Sequence, residues 1–342
     1  MKDGIHGIKI KTEIDMKKIL AFIVLSVAMV SCYEDYIMDY TYTGIYFPYQ
    51  QDVRTFVVGE GMKIEVGAAL GGVRENTINR TVNFTLDNSL ITPALLAKMK
   101  GATQSYISNS TAAVASFLPL PQSHYTISDP STIVIEAGQH MGSVVITPDS
   151  TTFLNDSVNT INATYMLPFM ITDADADSVV HNKRFNTVAV MFENMLFGNY
   201  WHGGQTVINR PGLPDSTYSY FTEIPTPESK IWTLKTQGPK TLVSNGYLDQ
   251  TSPEGTEIKL VLNGSKVFVS SASGSKYVIE PEGESSFNRA KLLQERKIFL
   301  KYRYVNTDNG FTYHCTDTLT FRNRMRDGIN EWQDENPSHY DK

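Results

Sequence analysis

Cysteine and tryptophan are both scarce in this chain of 342 residues. Cys32 and Cys315 are the two cysteines, so a disulfide framework and a zinc site built from paired cysteines are excluded. An excess of basic residues is also missing, because 30 Lys and Arg stand against 36 Asp and Glu. Nucleic-acid binding needs a basic surface that releases counterions from phosphates, so we expect no nucleic-acid partner.

Sequence motifs of the common catalytic classes are missing as well. The chain has no Gly-x-Ser-x-Gly elbow, no phosphate-binding Gly-x-x-x-x-Gly-Lys and no His-Glu-x-x-His. Asp173, Asp175 and Asp177 alternate as in the start of a calcium loop. Ser178 and Arg184, however, stand where an EF-hand loop has its glycine and its last carboxylate. We therefore predict that the protein is not an enzyme and holds neither metal nor cofactor.

Aromatic and β-branched residues are abundant. The 18 Tyr and 16 Phe stand amid many Thr and Val, a composition that is typical of half-buried strands. The length is sufficient for two domains with cores of their own. The spacing of strand and turn signals predicts an all-β chain, with an immunoglobulin-like β-sandwich over residues 44–194. An antiparallel β meander or a small, lipocalin-like barrel is predicted over residues 195–342.

Local signals add one helix and two hairpins to this prediction. Thr92 is a favoured N-cap, Pro93 suits the first turn and Gly101 suits the end, so a short helix is predicted between them. Asn263-Gly264 and Asn309-Gly310 are typical of tight turns between antiparallel strands.

The N-terminal region has the features of an export signal. An apolar run over residues 19–30 follows Lys17 and Lys18 and is too short to span a bilayer. It ends at Ser31-Cys32, which resembles the bacterial lipobox, so Cys32 is predicted to carry lipid. An ordinary secretory signal with an incidental cysteine is the alternative.

These features divide the start of the chain into two parts. Residues 1–31 are predicted to be a signal peptide, in which the stretch before Met16 is a spurious extension. Residues 32–43 are predicted to be a lipidated tether. The segment Tyr33–Tyr36 is similar to the acidic export tag of surface lipoproteins of Bacteroidota, which implies an outer-membrane location facing the cell exterior.

Two sets of segments resemble known families. The first set resembles the N-terminal sandwich of Bacteroidota lipoproteins called domain of unknown function 1735. Its segments are Leu118–Pro119, His124–Ser128, Val134–Gly138 and Tyr165–Phe169. The second is the long string Arg322–Pro337, which resembles the closing motif of domain of unknown function 4361. The resemblance implies a surface lipoprotein encoded beside outer-membrane glycan transporters in polysaccharide-utilisation loci.

The function implied by this resemblance is glycan binding without catalysis, with outer-membrane lipid and a transporter complex as further partners. A sugar ring offers an apolar face and a rim of hydroxyls, so a site needs an exposed aromatic side chain beside polar groups. The hypothetical contacts lie in or near predicted loops of the second domain. They are Tyr200, Trp201, His202, Tyr218, Tyr220 and Phe221. The alternative for each aromatic is a place in the core.

The closing motif has two further interpretations. Alternating Arg322, Arg324 and Arg326 suit an anionic ligand, but Asp327 and Glu331 can pair with them inside the protein, which we favour. Trp332 is predicted to cover the end of the barrel as a structural latch. For the whole protein, an adhesive or structural role toward a protein partner or host surface is the alternative to glycan binding. A glycosidase is a third possibility, which requires two convergent carboxylates.

Overall fold

The structure of the protein is a computed structural model that describes residues 42–220, 229–246, 248 and 255–333. These residues form two β domains, and the chain passes from one to the other between Asn194 and Gly198. The predicted all-β fold class is confirmed. The predicted lipidation site Cys32 and the predicted contact Phe221 lie outside the described residues.

The first domain is a sandwich of two sheets. Its strands are β1 (Gly44–Tyr46), β2 (Gln51–Val58), β3 (Ile64–Gly71), β4 (Arg80–Leu86), β5 (Leu118–Pro119), β6 (Tyr125–Ile127), β7 (Thr132–Ile135), β8 (Met141–Pro148), β9 (Tyr165–Ala174), β10 (Ser178–Val179) and β11 (Phe185–Asn194). One sheet has the order β10-β1-β3-β8-β6, and the other has the order β2-β11-β9-β4-β7 with β5 beside β9. Most pairs are antiparallel, but β1 with β10, β2 with β11 and β5 with β9 are parallel.

Alternating side chains from both sheets fill the space between them. Val66 and Ile146 come from one sheet, and Phe84, Phe169 and Val190 come from the other. All five side chains are buried. Because successive residues of a strand point to opposite faces, this period-two pattern fixes which face of each sheet is inside.

Four short helices accompany the two sheets: α1 (Pro93–Lys100), α2 (Ser105–Thr111), α3 (Thr152–Asn155) and α4 (Ser157–Thr160). The first two pack on the outer face of the second sheet, whereas Phe153 of α3 belongs to the core between the sheets. The 3₁₀ turns Asn88–Leu90, Gln122–His124 and His181–Lys183 lie in the first domain, and the turn Leu293–Glu295 lies in the second. The predicted helix is confirmed, and the Thr92 hydroxyl accepts a hydrogen bond from the Leu95 amide as an N-cap. Met99 and Ile107 anchor α1 and α2 on Val53 of β2. None of the helices among the described residues has the length and apolar character needed to cross a membrane.

The second domain is a closed barrel. Its strands are β12 (Gly198–Asn209), β13 (Ser216–Tyr220), β14 (Ile231–Gly238), β15 (Thr241–Val243), β16 (Ile258–Asn263), β17 (Lys266–Ser271), β18 (Ile279–Pro281), β19 (Ser285–Phe287), β20 (Lys297–Asn306), β21 (Phe311–Arg326) and β22 (Ile329–Glu331). Neighbouring strands are antiparallel, and β12 pairs with β14 on one side and with β21 on the other. This double pairing closes the sheet, so the barrel is observed rather than the open meander.

Closure of the barrel depends on a glycine in β12. Tyr200, Trp201 and His202 are predicted to lie in a loop, but residues 198–204 form the start of β12, so that prediction is wrong. Gly204 has φ of +133°, and a Cβ there would lie 2.2 Å from the Thr316 carbonyl oxygen of β21. This glycine therefore marks a close approach of two backbones rather than a turn.

A cluster of charged side chains joins the two domains. Glu60 lies in the turn between β2 and β3 and accepts hydrogen bonds from Arg296 at 2.6 Å and from both terminal nitrogens of Arg324 at 2.7 and 2.8 Å. Arg324 also donates from Nε to Glu331 at 2.5 Å. The side chains of Glu60, Arg296 and Arg324 are almost completely buried. We call Glu60, Arg296, Arg324 and Glu331 the interdomain latch.

The structure tests two predictions about the closing motif. Arg324 and Arg326 both bind Glu331, so the prediction that these arginines pair within the protein is confirmed. The part played by Glu60 of the first domain was not predicted. Trp332 is 57% exposed, so the prediction that it covers the barrel end is wrong. Buried arginine pairs, rather than an indole ring, connect this motif to the rest of the protein.

Candidate functional site

Three of the predicted contact residues are buried inside the barrel. Tyr200 and His202 have no exposed surface, and Tyr220 is 8% exposed. The Tyr200 hydroxyl donates to the Leu196 carbonyl at 3.1 Å, and its ring packs edge-on against Phe321. Because these residues stand on strands, alternation turns them toward the interior. They do not form the exposed aromatic surface that was predicted.

Trp201 and Tyr218 remain partly accessible. Trp201 is half-buried, and the Arg322 guanidinium lies 5.0 Å from the centre of its ring, so it already has a cation–π partner. Tyr218 is 42% exposed, and its ring lies 5.8 Å from that of Tyr220. The two accessible rings lie on different strands of the barrel, Trp201 on β12 and Tyr218 on β13.

Two of these buried residues, Tyr220 and His202, contact the same carboxylate. Asp317 accepts hydrogen bonds from the hydroxyls of Tyr220 at 2.6 Å and Tyr302 at 2.7 Å. His202 Nε2 lies 3.0 Å from the same carboxylate. The side chains of His202 and Asp317 are fully buried, so this group stabilises the barrel core and offers no surface to a substrate.

Burial also sets the protonation of this group. It raises the pKa of Tyr220 and of Tyr302, and the Asp317 carboxylate raises both further. The two hydroxyls therefore keep their protons and act as donors. Thr206 donates to Tyr220 or accepts from it at 3.0 Å, and Cys315 lies 3.5 Å from the Thr206 hydroxyl. We call Asp317, Tyr220, Tyr302 and His202 the barrel network.

An exposed aromatic side chain beside polar groups is found in the first domain instead. Tyr49 is 56% exposed and stands between β1 and β2, directly after Pro48. It borders a cleft of about 340 Å³ that also reaches β3, β8 and β11. The polar residues that line this cleft are Asp52, Arg54, Glu65, Ser143 and Asn186. We call it the Tyr49 cleft.

One residue that lines the cleft has a buried polar atom without a hydrogen-bond partner among the described residues. Asn186 is 5% exposed and lines the cleft, and its Oδ1 is buried and accepts no hydrogen bond from the described residues. A buried carbonyl oxygen without a donor costs about 1–3 kcal/mol. Because this oxygen is fully buried, it lies beneath the surface of the cleft and is an unsatisfied polar group rather than a contact that a ligand reaches.

Neighbouring charges are fixed before any ligand binds. Arg54 Nε lies 2.8 Å from Asp52, whose other oxygen accepts from the Tyr106 hydroxyl at 2.9 Å. Burial raises the pKa of Asp52 above its ordinary value, although Arg54 and Tyr106 oppose the shift. The Ser143 hydroxyl donates to Glu65 at 2.9 Å. The cleft therefore presents oriented donors and acceptors around the Tyr49 ring.

The local sequence explains how these groups are positioned. Phe47 is fully buried and anchors the chain, while the side chain of Gln50 donates to the Phe47 carbonyl at 2.8 Å and holds the bend. Tyr49 between them is left outside. Two signals in the sequence point to this site: an aromatic residue in a short proline-containing bend, and Asn186 just before the apolar run 188–192 of β11.

A second group of carboxylates lies between the domains. Glu193 and Asp327 line a groove of about 210 Å³ with Tyr106 and Asn109, which we call the interdomain groove. Burial raises the pKa of Glu193 to about 7 and that of Asp327 to about 6, against the lowering effects of Thr236, Thr55 and nearby arginines. Within the described residues, Glu193 Oε2 and Asp327 Oδ1 have no hydrogen-bond partner.

Replacing Glu193 by glutamine is expected to remove a pH dependence of stability. The folded carboxyl holds its proton more tightly than the unfolded one, so the wild-type protein loses stability as pH rises from the ordinary value of 4.5 to about 7. The difference between the melting temperatures at about pH 5 and about pH 8 should therefore be smaller in Glu193→Gln than in the wild type, and Asp327 accounts for part of what remains. Glu75→Gln, at an exposed position, serves as the control. Equal pH dependence in wild type and Glu193→Gln would contradict the assignment.

No group of three or more metal-ligating His, Cys, Asp or Glu side chains occurs in the part of the chain that the structure describes. Asp177, one of the alternating acids, accepts hydrogen bonds from the amide and hydroxyl of Thr43 at 2.7 Å. It thus has a structural partner at the start of the first domain.

Comparison with known proteins extends these observations. A family model for an N-terminal domain matches residues 40–178. A search of curated proteins gives no match. A crystal structure of a Bacteroides ovatus protein of unknown function has a TM-score of 0.60 and 21% identity, over 86% of this chain and 98% of that chain. A multidomain protein including DUF1735 from the same organism has a TM-score of 0.42 and 14% identity, over 85% of this chain and 100% of that chain. The chain therefore shares its two-domain fold with a Bacteroides protein, and its first domain matches an established N-terminal domain family.

Proposed function

We propose that this protein is a lipid-anchored surface lipoprotein that binds glycan for a polysaccharide uptake system and carries out no reaction on it. The Tyr49 cleft is the observation that carries this proposal. It combines an exposed aromatic ring with carboxylate and guanidinium groups that hold one another in place.

Each part of the cleft suits one property of a sugar ring. The Tyr49 ring offers an apolar face to the C–H groups of the sugar. Glu65 offers oxygens that accept from sugar hydroxyls, and Arg54 offers nitrogens that donate to them. The cavity of about 340 Å³ is within the range of small-molecule sites, roughly 300–1,000 Å³.

The predicted tether is consistent with such a role. Residues 33–43 separate the predicted lipidated Cys32 from β1, and an extended chain reaches about 3.3–3.6 Å per residue. Stable anchoring takes more than one acyl chain, which an acylated N-terminal cysteine supplies. Mass spectrometry of the mature polypeptide tests this part: an acylated Cys32 is expected, and an unmodified N-terminus would contradict it.

Replacing Tyr49 by alanine is expected to weaken glycan binding by about 30-fold or more, because an anchoring aromatic residue contributes about 2 kcal/mol or more to a binding site. Retardation in native gels that contain polysaccharides, followed by calorimetry with the glycan that retards the wild type, measures the effect. Tyr42→Ala is the matched control, since Tyr42 is 64% exposed and does not line the cleft.

Two outcomes would contradict the proposal. Wild-type protein that is retarded by no glycan of a broad panel, but captures a host-surface protein, would support the adhesive alternative. Turnover of a chromogenic glycoside that is lost in Glu193→Gln and Asp327→Asn would identify the interdomain groove as a hydrolytic site, because these two carboxyl groups share it. We expect no turnover.

A further inference from the structure

A second cleft borders Tyr49 on its other side. It has a volume of about 420 Å³ and lies between the start of β2 and the end of α1. The polar residues that line it are Gln50, Gln51, Lys98, Thr103 and Gln104. Its side chains are amides, a hydroxyl and an ammonium group, which form hydrogen bonds with sugar hydroxyls in the same way as the groups of the Tyr49 cleft. We call it the α1 cleft.

The two clefts are adjacent and share residues. Pro48 and Tyr49 line both of them. Gln51 and Asp52, which are consecutive in β2, line the α1 cleft and the Tyr49 cleft respectively. Because β2 is the edge strand of its sheet, no neighbouring strand of that sheet separates the two clefts on the outer side of β2. Since consecutive residues of a strand point to opposite faces, the two clefts lie on opposite sides of β2, and the exposed Tyr49 ring stands at the edge where they meet.

We infer that the ligand is an extended oligosaccharide segment of a polysaccharide, which lies across Tyr49 and occupies the Tyr49 cleft and the α1 cleft together. This inference rests on the proposed function and adds the size and placement of the ligand. Either cleft alone lies toward the small end of the range for a small-molecule site, roughly 300–1,000 Å³. Together they accommodate several sugar units, whereas a monosaccharide leaves one cleft without a ligand.

The two clefts differ in their charged residues, so the two ends of the bound oligosaccharide have different surroundings. The Tyr49 cleft contains the paired Asp52 and Arg54 and the exposed Glu65. In the α1 cleft the single charged side chain among the described lining residues is Lys98. Thr103 donates to Gln104 at 3.3 Å, so the amide end of this cleft is partly ordered without a ligand.

A chain-length series tests the inference. Affinities are measured by calorimetry for the monosaccharide, disaccharide, tetrasaccharide and hexasaccharide of the glycan that retards the wild-type protein. We expect affinity to rise about tenfold or more between disaccharide and hexasaccharide, because a net hydrogen bond contributes about 0.5–1.5 kcal/mol and the longer ligand gains several of them.

Variants of each cleft show which cleft supplies the gain in affinity with chain length. Lys98→Ala with Gln104→Ala alters the α1 cleft, and Lys100→Ala with Gln139→Ala is the matched control, since both of its residues are exposed and line neither cleft. Glu65→Ala alters the Tyr49 cleft. The affinity for the hexasaccharide should fall about tenfold in the variants of either cleft. The affinity for the disaccharide should fall only in the variants of the one cleft that it occupies.

The outcomes separate the inference from the proposed function. Affinity that does not change with chain length, or hexasaccharide binding that is unaffected by Lys98→Ala with Gln104→Ala, would overturn the inference while loss of binding in Tyr49→Ala still supports glycan binding. Absence of binding to every glycan tested would overturn both.

Discussion

Replacing Glu60 by alanine is expected to lower the free energy of unfolding by about 3–5 kcal/mol, the cost of removing one partner from a buried ion pair. Arg296 and Arg324 are almost completely buried, and both donate to Glu60 at 2.6–2.8 Å. Arg296 would retain the Met195 carbonyl and Arg324 would retain Glu331 as acceptors. Neither arginine, however, would face the first domain's carboxylate any longer.

Glu280→Ala is the matched control for this experiment. Glu280 also pairs with an arginine, Arg303, at 2.7 Å, but both side chains are about half exposed. An exposed pair contributes about 0–1 kcal/mol, so chemical denaturation should separate the two variants clearly. Similar losses for Glu60→Ala and Glu280→Ala would show that the interdomain latch does not stabilise the protein. Small-angle scattering of Glu60→Ala should also show a less fixed arrangement of the two domains.

The latch has a defined pH dependence. Burial on its own raises the pKa of Glu60, but hydrogen bonds and charges from Arg324 and Arg296 outweigh it and hold the pKa below its ordinary value of 4.5. The stabilisation is therefore present above that pH and is lost as pH falls through the lower pKa of the folded protein. The pKa of Glu193 is raised instead of lowered, so its contribution to stability is lost as pH rises. The interdomain latch therefore weakens at low pH, and the contacts of the interdomain groove weaken at high pH.

Replacing Asp317 by alanine is expected to destabilise the barrel by about 3–5 kcal/mol, because three buried groups lose their shared partner. The hydroxyls of Tyr220 and Tyr302 donate to this carboxylate, and His202 lies 3.0 Å from it. The free energy of unfolding from urea titration, with fluorescence of the buried Trp232 as the probe, measures the effect.

Asp308→Ala provides the comparison for Asp317→Ala. Asp308 likewise accepts from a tyrosine hydroxyl, that of Tyr277 at 3.0 Å, and pairs with Lys276 at 2.5 Å, but its side chain is 58% exposed. Solvent can replace these partners, so the expected loss is within about 1 kcal/mol. If Asp317→Ala were no more destabilising than Asp308→Ala, the barrel network would not be a major source of stability.

Sequence signals with a local cause were the most reliable. Thr92, Pro93 and Gly101 act within one helical turn of their own positions, and α1 has the predicted cap. The Asn263-Gly264 and Asn309-Gly310 turns join β16 to β17 and β20 to β21 as predicted. In contrast, α2 was not predicted, since its polar sequence has little helical preference and is held by Ile107 against the core.

Signals that depend on distant parts of the chain are less reliable. The glycines after Tyr200 are typical of a loop, but Gly204 lies in a strand, where a residue without a side chain is needed because β21 passes close to it. Tyr200 and His202 were assigned to a ligand surface, but closure of the barrel turns them inward. The Tyr49 cleft combines residues from β2, β3, β8 and β11, so no segment of the sequence shows it alone. The burial of Asn186 Oδ1 without a hydrogen-bond donor among the described residues becomes visible only in three dimensions.

The seam between β12 and β21 has a consequence for the order of folding. Thr206 and Cys315 face each other there although they are 109 residues apart, and the contact between Glu60 and Arg324 spans 264 residues. Pairings between distant segments form late, because the intervening chain loses much conformational entropy when they close. Neither the second domain nor its attachment to the first is complete before the final long strand has emerged. For the exported lipoprotein proposed above, the barrel therefore stays open until β21 is available to pair with β12.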